Sequence, residues 1–121
     1  MAKVHRSEFL KRLKETFPEV TPEVNKEEGL LHFEMRAFRK LVQQLIDSGD
    51  RERIAMAYGL AEWAYENGSD NLKNAIDVSL IEELNFDDTK KHKRQWAHAM
   101  LPATLAKLHD AWLKIYYGQK K

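Results

Sequence analysis

Apolar residues recur along this chain at three- and four-residue steps, and no segment sustains period-two alternation, so the pattern predicts helices and no sheet. The clearest stripe covers residues 30–48, where Leu31, Met35, Phe38, Val42, Leu45 and Ile46 fall on one helical face. Ser48-Gly49-Asp50 stops that helix and starts the next, with Gly49 as the breaker and Asp50 as the N-cap. The helix over 51–67 is apolar on several sides (Ile54, Met56, Ala57, Leu60, Ala61, Trp63, Ala64, Tyr65), so it packs against more than one neighbour. Asn67-Gly68-Ser69-Asp70 closes it and caps a helix over 71–84. There Leu72, Ala75, Ile76, Ser79 and Leu80 share a side, with Val78 and Ile81 off it.

The two ends are less regular. A short first helix over 7–16 takes Ser7 as its cap and Phe9, Leu10 and Leu13 as its apolar side. Phe17-Pro18 ends it, because the residue before a proline is pushed out of the helical region. Residues 18–29 read as a connector, with a turn of helix after Thr21 as an option. Asp87 or Asp88 is expected to cap a fifth helix reaching Leu101, with Trp96 and Met100 inward, before Pro102 breaks the chain. The last helix then runs to Tyr117, burying Leu105, Leu108, Ala111, Trp112 and Ile115, and stops at Gly118.

Short connections make successive helices antiparallel neighbours. The expected fold is all-α: a compact bundle of five or six antiparallel helices, or two stacked helix hairpins, although no fixed-period repeat marks the second arrangement. A chain of 121 residues is read as one domain, with residues 1–29 as N-terminal helix and connector, 30–117 as the helical core, and 118–121 as a frayed tail.

Composition narrows the function classes. With no cysteine, disulfide scaffolds, thiolate zinc sites and cysteine nucleophiles are excluded. Neither a signal peptide nor a membrane span is visible, so a cytoplasmic protein without membrane contact is expected. The net charge of +1 hides a strong asymmetry. Residues 61–88 carry eight acids against Lys73 alone, and residues 89–121 carry eight bases against Asp110. Each segment could complement a charged partner, or the two could face each other in the fold.

Candidate chemistry is sparse. The chain has no nucleophile-elbow, phosphate-loop, dinucleotide or zinc-protease pattern. Its five histidines are scattered, and His92 and His98 fall on roughly opposite sides of one helix, which argues against a shared metal. His92 reads instead as packed beside Trp96. No metal and no cofactor are expected, and the chain is not expected to be an enzyme. Glu83 stands out because it falls in the apolar sector of its helix, and Glu82 and Glu83 both oppose the helix dipole. A basic partner or an internal Lys or Arg would reward them, unless Glu83 lies late enough in the helix to reach solvent. As a general acid, Glu83 would need His92 or His32 beside it. Lys90, Lys91, Lys93 and Arg94 form a basic run that could contact phosphates. Tyr116 and Tyr117 are the aromatics placed to form a surface patch.

The stretch Asn74-Ala75-Ile76-Asp77-Val78-Ser79-Leu80-Ile81-Glu82-Glu83-Leu84-Asn85-Phe86 resembles a small family of uncharacterised bacterial all-helical proteins. Gly29-Leu30-Leu31-His32-Phe33-Glu34-Met35 and Leu101-Pro102 extend the resemblance over about residues 25–117. Small, cysteine-free helical proteins of this type are similar to the immunity proteins of polymorphic toxin systems. The resemblance implies a non-catalytic protein-binding module that neutralises a toxin. On that reading Glu66, Asp70, Asp77, Glu82 and Glu83 lie on or near a surface facing a partner with a basic face. The alternative is a nucleic-acid-associated or regulatory helical protein working through Lys90, Lys91, Lys93 and Arg94.

Overall fold

The stripe over residues 30–48 becomes the central helix of the fold. The computed structural model describes residues 3–26 and 29–118, the last two by backbone alone. Its helices are α1 (Arg6–Thr16), α2 (Thr21–Lys26), α3 (Leu31–Ser48), α4 (Arg51–Asn67), α5 (Asp70–Ala75), α6 (Gln95–Ala99) and α7 (Ala103–Gly118). A 3-10 turn, Pro18–Val20, leads into α2, and a π-helical segment, Ile76–Ile81, continues α5. The fold is all-α, with no strand among the described residues. Among the described residues seven α-helices stand where the sequence pattern predicted five or six. Helix α3 packs on α2, α4, α5 and the π segment, while α7 lies across α4 and the π segment.

Met35, Phe38, Val42, Leu45 and Ile46 are all buried, as their spacing requires. Gly49 ends α3 at φ 74°, a left-handed conformation that a side chain would strain. The turn donates Gly49 N–H to Ile46 and Asp50 N–H to Leu45, satisfying two terminal carbonyls. Asp50 caps α4 by accepting from Arg53 N–H at 3.2 Å, and Ser69 caps α5 by accepting from Leu72 N–H at 3.3 Å. In α4, Met56 is 48% exposed although it belonged to the expected core.

Four departures have physical causes. Helix α1 begins at Arg6 with His5 as N-cap and no side-chain cap, so Ser7 lies inside the helix. Its start is set by a tether from elsewhere: Val4 N–H donates to Asn67 and Ser69 N–H donates to Val4, both at 2.8 Å. Arg6 then pairs with the buried Glu34 of α3 through two hydrogen bonds of 2.6 and 2.5 Å. The connector after Pro18 is mostly helical, because Val20 and Val24 find room in the core. Ile81, expected off the apolar side, is buried: the π turn, closed by Glu82 N–H on Asp77, brings it onto the face of Ile76.

The fourth departure matters most for the site. The helix expected from Asp87 to Leu101 shrinks to Gln95–Ala99, leaving residues 85–94 irregular. Helix α7 follows Pro102 as expected, but its apolar stripe is only half used. Leu105 is buried and Leu108 and Trp112 are partly covered, whereas Ala111 and Ile115 are exposed. The side chain of Tyr117 and the tail 119–121 lie outside what is described, as do Glu27 and Glu28 in the connector.

Candidate functional site

Side chains hold the irregular segment 85–94 in place of helical hydrogen bonds. Gln43 of α3 clamps Asn85 from both sides, donating to its carbonyl at 3.1 Å and accepting its N–H at 2.9 Å. Arg94 reaches back to Asp47 with hydrogen bonds of 2.6 and 3.2 Å, and its N–H and that of Gln95 both donate to Asp88. The Arg94 guanidinium holds the Asp47 carboxyl below its ordinary pKa, while the two backbone N–H groups do the same for Asp88. The N-cap position of α6 is Arg94 and not Asp87 or Asp88, and Asp88 instead accepts the Arg94 and Gln95 N–H groups from across the loop. Thr89 and His92 close a tight turn by exchanging N–H donors, at 2.7 Å to the His92 carbonyl and 2.9 Å to the Thr89 hydroxyl.

This arrangement decides the fate of the basic run. Lys90 and Lys91 sit on the tip of that turn and Lys93 is exposed, whereas the Arg94 guanidinium is committed to Asp47. No continuous basic helix exists to enter a groove. His92 belongs to the turn and not to a helical face shared with Trp96, which instead stacks under Arg51 at 4.7 Å.

The acids are likewise scattered. Glu66 accepts from Thr104 at 2.9 Å, and Asp70 is exposed in the first turn of α5. Glu83 pairs with Arg36 and Arg39 of α3 at 3.7 and 3.5 Å, which supplies the internal cations its position called for. It is not paired with His92 or His32; the His32 Nδ1 lies 2.7 Å from the buried Ser79 hydroxyl. Asp77 and Glu82 hold their protons more tightly than free carboxylates. Burial raises Asp77, and burial together with the charges of Asp77 and Glu83 raises Glu82.

The feature that sequence reasoning missed lies between residues 84–87, α6 and α7. There an open cleft of about 720 Å³ is lined by Leu84, Phe86, Asp87, His98, His109, Trp112, Leu113 and Tyr116, among others. A file of aromatic rings forms its wall. Phe86 meets His98 and His109 edge-on at 5.5 and 5.1 Å, and the two imidazoles meet each other at 5.0 Å. His109 leans on Trp112 at 6.2 Å, and Trp112 stacks on Tyr116 at 5.1 Å and 18°.

His109 is the unusual member. It is 7% exposed, and its Nδ1 is buried with no hydrogen-bond partner among the described residues. Burial lowers its pKa, reinforced by His98 and opposed by the carboxylates of Asp110 and Asp87. One donor atom each from His98, His109 and Asp110 lies within 4.8 Å of the others. His98 and His109 belong to different helices, and the Pro102 break folds one against the other. Their separation of 11 in sequence carried no hint of this, since helical spacing relates only residues within one helix.

Across the described residues, no helix is long and apolar enough to cross a membrane. No curated protein and no solved structure matches the chain. A family does match, over residues 10–118, a span that takes in α3 to α7 and the whole cleft. The chain therefore belongs to the family described as Domain of unknown function (DUF7674).

Proposed function

We propose that this chain is a non-catalytic protein-binding module that seats a basic segment of a partner protein in the cleft beside α7. The observation that carries this reading is the outer half of α7. Ile115 is 63% exposed and Tyr116 38% exposed, and the Trp112–Tyr116 stack extends this apolar surface along the cleft wall. Tryptophan and tyrosine in such settings anchor interfaces, because they cover much area with few rotatable bonds.

Charge supports a basic occupant. The formal charge among the residues lining the cleft is negative, from Asp87, and Glu82 and Glu83 lie just upstream of Leu84. A partner's lysine or arginine can lay its stem against the Trp112 ring while its charged head meets Asp87. Asp77 and Glu82 supply further negative charge nearby in sequence, whereas Glu66 and Asp70 sit at the α4–α5 junction. The most concrete form of this reading is a cytoplasmic immunity protein that covers the basic active face of a cognate bacterial toxin. Its support is the small all-helical build and the aromatic wall of the cleft with Asp87 beside it.

The test is a parallel affinity capture from host lysate with the wild-type chain and a Trp112→Ala/Tyr116→Ala variant, followed by titration of the purified captured protein. The reading expects one basic protein that is released by salt and binds the variant at least about tenfold more weakly. Equal capture by the variant, or recovery of nucleic acid in place of protein, overturns it.

A further inference from the structure

We propose that His98, His109 and Asp110 form a binding site for a divalent first-row transition ion of the zinc type. The inference does not depend on the protein-binding reading, because it rests on the donor atoms of His98, His109 and Asp110 and not on the exposed Ile115 and Tyr116.

The geometry comes first. One donor atom from each residue lies within 4.8 Å of the other two. Donors bound to zinc at about 2.0–2.2 Å stand roughly 3.3 Å apart. Closing the site thus requires movements on the order of 1 Å, shared between His98 and Asp110, which are both exposed and able to adjust. His109 does not need to move. Its ring is wedged by Phe86, His98 and Trp112, so the least adaptable ligand is already oriented before an ion arrives.

The second observation is the orphaned nitrogen. Buried polar atoms in folded proteins almost always have a partner, and exceptions ask for an explanation. The His109 Nδ1 is buried without a hydrogen-bond partner among the described residues, in a side chain that borders an open cleft. A second imidazole and a carboxylate converge on that same side chain. This is the donor composition of an ion site, and apolar packing alone does not call for it.

The donor set also selects the ion. Two imidazoles and one carboxylate suit zinc, nickel, cobalt or ferrous ions, whereas calcium and magnesium prefer sets made of oxygen. Three protein ligands leave at least one coordination position for water or for a side chain brought by a partner. Asp87 lines the same cleft, and its negative charge favours a cation held there.

The experiment uses the full chain without an affinity tag, stripped with a chelator. Zn²⁺ is titrated by calorimetry, and Co²⁺ alone is followed by its visible absorption. The expected result is one ion per chain, with ligand-field bands typical of cobalt bound to nitrogen and oxygen. His98→Ala and Asp110→Asn should each weaken binding by at least about tenfold while leaving the helical circular dichroism unchanged, since both positions are exposed. His109→Ala is a third variant, but its buried position makes it the less direct test. An absence of saturable uptake by the wild type overturns the proposal. So does unchanged affinity in the His98→Ala/Asp110→Asn double variant, because His5, His32 or His92 would then be holding the ion.

Discussion

Arg6→Ala is the sharpest test of how the N-terminal helix is held to the core. The Glu34 side chain is 1% exposed and its two oxygens accept from Arg6 at 2.6 and 2.5 Å. Its other contact is a long one, Gly29 N–H at 3.4 Å. Truncating Arg6 leaves a carboxylate in the interior with little to balance it, and breaking a buried pair in this way costs about 3–5 kcal/mol. Arg6 itself is 37% exposed, so water can partly replace it, which sets the expectation near the bottom of that range, about 3 kcal/mol. With a urea slope of about 1.5 kcal/mol per M, the unfolding midpoint falls by roughly 2 M at an unchanged slope. Replacing both partners together, as Arg6→Met/Glu34→Leu, removes the stranded charge and should recover most of the loss. The reasoning fails if Arg6→Ala costs less than about 1 kcal/mol, or if the double variant is no more stable than the single one.

Further expectations concern elements around the cleft and the bent helix. The Tyr58 hydroxyl, whose pKa burial pushes up, donates to the Ala97 carbonyl at 2.8 Å; Tyr58→Phe strands that carbonyl and should cost about 1–2 kcal/mol, read by thermal melting. Hydrogen exchange should speed up in α6 in the same variant, and protection equal to the wild type would show that the bond does not hold α6. At Gly68 an added Cβ would collide with the Ala64 carbonyl oxygen and press on Leu72, so Gly68→Ala should lose about 1–3 kcal/mol; an unaltered melting temperature would refute the close packing of that turn. Asp77 has a raised pKa from burial, so its charged form is penalised at neutral pH and the penalty is relieved as pH falls through the folded and then the unfolded value. Asp77→Asn should accordingly raise the melting midpoint at neutral pH, with the gain vanishing below the ordinary carboxylate range. A gain that persists in strong acid would point to something other than charge.

Much of the helical core was legible in the chain because its signals are local. Met35, Phe38, Val42, Leu45 and Ile46 reveal α3 through spacing alone, and Gly49-Asp50 reveals the turn through φ preference and capping chemistry. Glu83 was legible as an anomaly, a charge in an apolar sector, although spacing could not say that Arg36 and Arg39 would answer it.

The rest was decided by contacts between residues far apart in the sequence. Residues 85–94 have a plausible helical pattern, yet the clamps from Gln43 and Asp47 reward an irregular path more than one further helical turn would. The start of α1 follows from the tether of Val4 to Asn67 and Ser69, and not from Ser7. Burial of Ile81 follows from a π turn, which periodicity at 3.6 residues cannot anticipate. The cleft is the extreme case. Phe86, His98, His109 and Trp112 lie on three separate segments, and only the reversal at Pro102 and the pinned 85–94 segment bring their rings into one file. Sequence alone determined which surfaces of the helices are apolar, because that depends on neighbours one turn away. The tertiary structure decided where the imidazoles meet, because that depends on how whole helices are turned against each other.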